Sequence, residues 1–185
     1  MATFVPRIER PANSNLYYIK TTKGGYNKCI QMQSDGRVLP NCTGYAWGRF
    51  MECQTNVHNC NLSRMNAELW YPYTADGYQR GQTPKLGAVI CWHSTRSGGH
   101  VAIVEEILPD GRIMTSNSAY NSTYFYLKFL SPPDYKMGSA YTFQGFIYNP
   151  TEFTPEPTPE PEEEDKKRFP WVLYARKLRK KRNWQ

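Results

Sequence analysis

The sequence predicts an α+β fold, with helices in the N-terminal part and an antiparallel β-sheet after them. Two patterns lead to this prediction. Residues 42–53 place apolar side chains three or four positions apart, as one face of a helix does, whereas residues 85–148 contain short apolar runs separated by turn residues. Because the helical and extended segments are segregated along the chain, neighbouring strands are expected to run antiparallel.

The first helix is predicted at residues 42–53, directly after Asn41. Asparagine is a good N-cap, because its side-chain oxygen accepts hydrogen bonds from the free N–H groups of the first turn. The apolar face of this helix consists of Tyr45, Ala46, Phe50 and Cys53. A second short helix is predicted at residues 63–71. Residues 1–37 are rich in Gly, Asn, Lys and Tyr, which predicts turns and short extended pieces.

Five apolar runs predict the strands of the sheet. They lie at residues 85–93, 100–108, 112–120, 124–130 and 141–148. The turn at residues 109–111 reads Pro-Asp-Gly and separates the second run from the third, so these two runs are expected to form an antiparallel hairpin.

Charge divides the chain into three segments. Residues 1–150 hold fourteen basic and nine acidic residues, residues 151–165 hold seven acidic and no basic residues, and residues 166–185 hold nine basic and no acidic residues. The middle segment alternates proline with acid and is predicted to be an extended linker. The last segment is basic and amphipathic but too short for a domain. We therefore expect a domain at 1–150, a linker at 151–165 and a tail at 166–185.

The charge and the apolar runs of the sequence indicate which partners the protein could bind and where in the cell it could be. The net charge of +7 favours an anionic partner such as a nucleic acid, a membrane surface or a cell-wall polymer. The N-terminus lacks the apolar run of a secretory leader, and no window approaches the roughly 18 apolar residues of a membrane span. The expectation is a protein that is made in a cytoplasm and either stays there or is released by a route that the sequence does not show.

Five cysteines are an odd number, so at least one thiol must stay free or pair between chains. Cys53, His58 and Cys60 form a loose cluster, but zinc sites usually space their ligands more regularly and supply a fourth. We expect ordinary thiols, or a single disulfide, and no metal site there.

Cys42 is the cysteine whose position indicates chemistry. It follows the predicted N-cap and so opens a helix, where free N–H groups and the helix dipole favour a thiolate. A nearby histidine could take the thiol proton. Of the three histidines, His58 lies in a polar loop and His93 ends a strand, whereas His100 opens a strand after two glycines. His100 is the catalytic candidate, and a structural histidine with satisfied hydrogen bonds is the alternative.

A third polar group should fix the imidazole tautomer, and Asn117 on the next strand is the candidate. A tight turn at residues 109–111 would place Asn117 opposite Val104, on the same side of the sheet as His100 but several residues away. A bulge or a wider turn is needed to bring the two side chains together.

Together these segments resemble the CHAP family of cysteine- and histidine-dependent amidohydrolases and peptidases of bacteria and their phages. The resemblance covers residues 25–150, and its motifs are NCTGYAWGR at 41–49, GHVAIVEE at 99–106 and DGRIMTSNSAY at 110–120, with flanking strands PKLGAVICW and YTFQGFIY. It implies a papain-like α+β fold and cleavage of amide bonds in peptidoglycan.

The resemblance also assigns roles. Cys42 would be the nucleophile, His100 the general base and Asn117 the orienting residue, where many members carry Glu with an Asn two residues later. An amide adds no negative charge, so a weaker ion pair is implied. Asn41 would support the oxyanion hole or only cap the helix. The segment at 34–37 has a single acid, so no calcium site and no other cofactor is expected.

Three aromatic residues lie next to the proposed triad in sequence and could line a substrate groove, although core packing is the plainer interpretation: Trp47, Trp92 and Tyr120. The expected partner is bacterial peptidoglycan, with residues 166–185 binding an anionic wall polymer or membrane. A monomer is expected, and no nucleic acid.

The best overall interpretation is a phage endolysin that resides in the host cytoplasm before lysis and then acts on the wall. Two alternatives remain. One is a wall-binding protein of the same fold with little or no turnover, which the amide at position 117 suggests. The other is a protein whose basic tail disrupts membranes.

Overall fold

The computed structural model describes residues 2–30, 33–54 and 60–155. In these residues the chain is α+β, with one α-helix, α1 (Cys42–Glu52), and a six-stranded sheet in which every neighbouring pair is antiparallel. The predicted fold class and sheet type are confirmed. None of the described helices is both long and apolar enough to span a bilayer.

The strands follow the predicted apolar runs closely. In chain order they are β1 (Ala2–Phe4), β2 (Arg80–Gly81), β3 (Val89–Ser94), β4 (His100–Ile107), β5 (Ile113–Asn117), β6 (Tyr126–Leu130), β7 (Tyr141–Ile147) and β8 (Phe153–Pro155). The large sheet has the order β2-β7-β3-β4-β5-β6. Strand β2 was not predicted from the sequence, because it is only two residues long.

The predicted second helix at 63–71 is wrong: this segment contains only a 3₁₀ turn, Ala67–Leu69. Its apolar residues do not share one helical face. Trp70 is fully buried and its indole N–H donates to the carbonyl of Met65 at 3.0 Å, whereas Leu69 beside it is exposed. Further 3₁₀ turns occur at Leu16–Tyr18, Thr21–Lys23 and Thr74–Asp76.

The folded unit extends beyond residue 150. Strand β8 pairs in parallel with β1, and the rings of Phe4 and Phe153 meet at 5.0 Å between centroids. Residues 151–155, which the sequence analysis placed in the linker, therefore belong to the compact unit that ends at Pro155. The rest of the predicted linker and the tail at 166–185 lie outside the described residues.

Two cores lie on opposite faces of the sheet. Val101 and Ile103 of β4 face a core that includes most of α1, whereas Ala102 and Val104 face a second core. Side chains alternate between faces along a strand, and both faces of β4 are buried, which explains its nearly continuous apolar sequence. Helix α1 packs on one face of this central strand.

A β-bulge sets the register between β4 and β5. Ile107 pairs with Ile113 near the turn, but further along Ile103 pairs with Ser116, because Glu105 is an extra residue in β4. Continuing this register places Asn117 opposite Ala102, so His100 is its diagonal neighbour on the same face, within reach of a side-chain contact. The bulge that the sequence analysis required is present.

The bulged residue also ties the sheet to the helix. Glu105 is fully buried, and its carboxylate accepts two hydrogen bonds from the Arg49 guanidinium, both at 2.9 Å. It further accepts from the Ser116 hydroxyl at 2.7 Å and from the backbone N–H of Arg7 at 2.8 Å. One carboxylate thus joins α1, β5 and the N-terminal segment to β4, and it fixes the helix relative to the strands.

Candidate active site

The start of α1 has the predicted N-cap. The side-chain oxygen of Asn41 accepts from the backbone N–H groups of Thr43 at 2.9 Å and Gly44 at 3.4 Å. The backbone N–H of Asn41 donates to the hydroxyl of Ser118 at 3.1 Å, just after the end of β5. These bonds hold the first helical residue, Cys42, next to the end of β5.

The Cys42 side chain is 8% exposed and lies against the first residues of β4. The backbone N–H groups of Val101, Thr43 and Cys42 itself favour the thiolate and act to lower the pKa of the Cys42 thiol. Burial has the larger effect and raises the pKa of the Cys42 thiol. The N–H groups at the helix start act to lower this pKa, as expected from the sequence. The expected net lowering of the pKa is wrong, because burial outweighs them.

Asn117 fixes the tautomer of His100. The side-chain nitrogen of Asn117 donates to the backbone carbonyl of Thr115 at 3.1 Å and to its hydroxyl at 3.0 Å, which turns the side-chain oxygen of Asn117 toward the ring. That oxygen lies 3.1 Å from Nε2 of His100. Since the amide oxygen can only accept, Nε2 carries the hydrogen and Nδ1 keeps its lone pair. Nδ1 is therefore the nitrogen that can take a proton from a thiol.

Burial keeps the imidazole neutral. His100 is 6% exposed, and burial lowers its pKa to about 4; the bond to Asn117 acts in the opposite direction, and the charge of Lys128 lowers the pKa further. With the pKa of the thiol raised and that of the imidazole lowered, both groups are neutral near pH 7. The hydrogen bonds of the described residues do not include one between the Cys42 thiol and the His100 ring.

Aromatic rings and a glycine hold His100 in place. The Trp92 ring lies 5.8 Å from the His100 ring, and the Tyr141 ring meets it edge-on at 6.2 Å, both measured between centroids. Gly99 precedes His100 with φ +79°, and a Cβ there would lie 2.5 Å from the backbone nitrogen of Glu68. The glycine is needed because the 3₁₀ turn at Ala67–Leu69 approaches the strand start so closely.

The three residues considered for the groove differ in exposure. Trp92 is fully buried, and its indole N–H donates to the Tyr135 carbonyl at 2.9 Å. Trp47 is 1% exposed and lines a small pocket of about 140 Å³ that does not include Cys42 or His100. Both side chains belong to the cores and cannot form a groove surface. Tyr120 is 56% exposed in the loop after β5 and remains a candidate for substrate contact.

Two tyrosines at the site were missed by the sequence analysis. Tyr126 opens β6 directly opposite Asn117, and Tyr141 opens β7 beside His100. Residues opposite each other in an antiparallel pair share a face, so the pairing of Asn117 would have identified Tyr126. The eight-residue connection from β5 to β6 has no turn signal that fixes this register.

All five cysteines are free thiols, so the disulfide that the sequence analysis allowed does not form. In the described part of the chain, no group of three or more His, Cys, Asp or Glu side chains could hold a metal ion. His58 lies outside the described residues, so the cluster with Cys53 and Cys60 stays untested.

Comparison with known proteins agrees with the resemblance in the motifs. Residues 32–119 match the model of the CHAP domain family. The chain is 31% identical over 98 residues to a Staphylococcus aureus protein named probable autolysin LDP, an alignment that covers 51% of this chain and 33% of the relative. A crystal structure of an N-acetylmuramoyl-L-alanine amidase from Staphylococcus aureus aligns with a TM-score of 0.40 and 21% identity, over 64% of this chain and 35% of that one.

The chain thus spans about a third of the length of each of these two proteins. The match to the CHAP domain family over residues 32–119 confirms the resemblance predicted from the motifs around Cys42, His100 and Asn117. The matched segment contains the helix start and strands β3 to β5, which are the elements that hold these three residues.

Proposed function

We propose that this protein is a peptidoglycan hydrolase that cleaves an amide bond through a covalent intermediate on Cys42. The observation that supports this most directly is the geometry around His100. Asn117 holds Nε2–H and leaves the Nδ1 lone pair free to act as a base. The backbone N–H of Val101, the residue that follows His100, favours the thiolate form of Cys42. The CHAP match and the autolysin relative support peptidoglycan as the substrate.

The reaction we propose is acyl transfer. As the sulfur of Cys42 attacks the carbonyl carbon, Nδ1 of His100 accepts the thiol proton, and the carbonyl electrons move onto oxygen. The tetrahedral intermediate collapses, the C–N bond breaks, and Nδ1–H protonates the leaving amine. Water then attacks the thioester with His100 again as base, which releases a carboxylic acid and restores the thiol.

The neutral resting pair affects how this site works. A preformed thiolate–imidazolium pair would need stabilising charge, and Asn117 supplies none. The proton therefore moves to His100 as the sulfur attacks, and the backbone N–H groups at the start of α1 stabilise the charge that develops. Burial of both groups strengthens these hydrogen bonds in the transition state.

The test is digestion of purified bacterial cell walls by the wild-type protein and by Cys42→Ala, followed by turbidity and by mass spectrometry of the fragments. We expect turbidity to fall with wild type and not with Cys42→Ala. Cys53→Ala, which removes a thiol at the other end of α1, should keep the wild-type rate. Lysis by Cys42→Ala at the wild-type rate would refute the proposal. The fragment masses also distinguish a muramoyl-alanine amidase from a peptide-bond endopeptidase.

We propose further that the protein is a phage endolysin that accumulates in the host cytoplasm and reaches the wall at lysis, and that its basic segment 166–185 binds anionic wall polymer. The separation of seven acidic from nine basic residues after residue 150 supports this role. Removal of 166–185 should abolish wall association at low salt and leave hydrolysis of soluble muropeptides intact. Unchanged wall association would contradict a targeting role for the segment.

A further inference from the structure

A second hydrogen-bond donor is needed at the site, if the acyl transfer proposed above is correct. The carbonyl oxygen becomes negative in the tetrahedral intermediate, and donors must already lie where that charge develops. The backbone N–H of Cys42, at the first position of α1, is one such donor. Asn41 does not supply its backbone N–H, which donates to Ser118, and its side-chain oxygen accepts from the helix.

Tyr126 lies at the right place in the fold. It pairs directly with Asn117 across β5 and β6, so the two side chains project from the same face of the sheet. Asn41 bonds to Ser118, the residue after Asn117, which brings the start of α1 to this same end of the sheet. The Tyr126 side chain is half-buried.

The hydroxyl of Tyr126 is unused. It makes no hydrogen bond with any residue of the described part of the chain, although the ring is half-buried. The pKa of Tyr126 is raised to about 12, first by burial and then by the charges that Cys42 and Tyr141 would carry when ionised. The phenol therefore keeps its proton near pH 7, and it lies close enough to Cys42 to sense negative charge there.

We propose that Tyr126 is a catalytic residue whose O–H donates a hydrogen bond to the carbonyl oxygen of the substrate as that oxygen becomes negative. The backbone N–H of Cys42 is the second donor. When Cys42 attacks, the carbonyl electron pair moves onto oxygen between these two donors. It returns when the C–N bond breaks, and the phenol proton stays on Tyr126 throughout. His100 alone transfers protons.

The test is Tyr126→Phe, which removes only the hydroxyl. Tyr148→Phe is the matched control. Tyr148 follows the last residue of β7, whereas Tyr141 at the site is the first, and the Tyr148 hydroxyl donates to the Thr83 carbonyl at 2.9 Å. With wall fragments as substrate, kcat of Tyr126→Phe should fall about 100-fold and KM should stay within about twofold, as for other single oxyanion donors. Tyr148→Phe should match wild type.

Two further measurements make the result specific. Alkylation of Cys42 by iodoacetamide should proceed at the wild-type rate in Tyr126→Phe, because the hydroxyl acts on the substrate oxygen and not on the thiol. N-acetylalaninal, an aldehyde that forms a hemithioacetal with a cysteine, should bind about tenfold more weakly to Tyr126→Phe by calorimetry.

The inference is overturned if Tyr126→Phe retains the kcat of Tyr148→Phe, or if its alkylation slows in proportion to kcat. A wild-type protein that releases nothing from cell walls would instead refute the proposed function. In that case aldehyde binding still tests Tyr126: equal affinity of wild type and Tyr126→Phe contradicts the inference, and weaker binding by the variant supports it.

Discussion

At the scale of single residues, Asn117 determines which nitrogen of His100 can act as a base. Its own amide nitrogen is held by two acceptors on Thr115, so its oxygen cannot turn away from the ring. The amide orients the imidazole without adding negative charge. Burial lowers the pKa of His100 to about 4 and raises the pKa of the Cys42 thiol, so the pair rests in the neutral form.

Replacing Asn117 by Asp should raise the pKa of His100, because a carboxylate beside Nε2 stabilises the imidazolium. We expect a shift of about 2 pH units upward, measured by NMR titration of the His100 ring protons. Asn121→Asp, an exposed substitution in the loop after β5, is the control and should leave the titration unchanged. An unchanged pKa of His100 in Asn117→Asp would show that residue 117 does not contact His100 in solution.

At the scale of elements, the sequence predicted those parts of the fold that have a clear period. Helix α1 and five strands follow from apolar spacing, and the cap follows from Asn41. The segment at 63–71 was misread because Trp70 packs inward from a 3₁₀ turn, which has no amphipathic period. Strand β8 was missed because proline and acid dominate the segment that contains Phe153.

The bulge at Glu105 shows why the site could be predicted only in part. The sequence places His100 and Asn117 on one face of a hairpin, but their contact depends on one extra residue in β4. Nothing in the local sequence specifies that position. The carboxylate of Glu105 accepts four hydrogen bonds, and three of them come from Arg7 and Arg49, which lie far away in the sequence.

Glu105→Gln should therefore destabilise the protein strongly, although the two side chains have nearly the same volume. It takes the Glu105 carboxylate charge away from the buried Arg49 guanidinium, which keeps only its ion pair with Glu52 at 3.2 Å, and we expect the free energy of unfolding to fall by about 3 kcal/mol. Urea denaturation measures this change. Glu106→Gln, on the adjacent half-exposed residue, should have an effect below about 0.5 kcal/mol. Equal effects of the two substitutions would contradict the role of the buried ion pair.

At the scale of the whole molecule, the neutral imidazole makes stability depend on pH. The pKa of His100 is about 4 in the folded protein against 6.5 for an ordinary histidine, so between these values the unfolded chain binds the extra proton. Folding is thus disfavoured as the pH falls through 6.5, and the loss levels off below pH 4. Wild type should lose about 2 kcal/mol between about pH 7.5 and pH 5.

His100→Gln isolates this effect. The free energy of unfolding of this variant should lack the decrease that protonation of His100 causes between about pH 7.5 and pH 5. His93→Gln, on an exposed side chain at the end of β3, should keep the wild-type slope. Denaturation curves at several pH values measure both. A His100→Gln protein with the wild-type slope would show that His100 titrates normally and that the resting pair is not neutral as described.

The central claim is that the protein transfers an acyl group to the sulfur of Cys42 and then to water. Hydroxylamine tests it directly, because this nucleophile intercepts a thioester even when hydrolysis is fast. With defined peptidoglycan fragments, wild type should yield an acyl hydroxamate beside the carboxylic acid, in a ratio that rises with hydroxylamine concentration, and Cys42→Ala should yield neither. Release of the carboxylic acid alone at every hydroxylamine concentration would contradict a covalent intermediate.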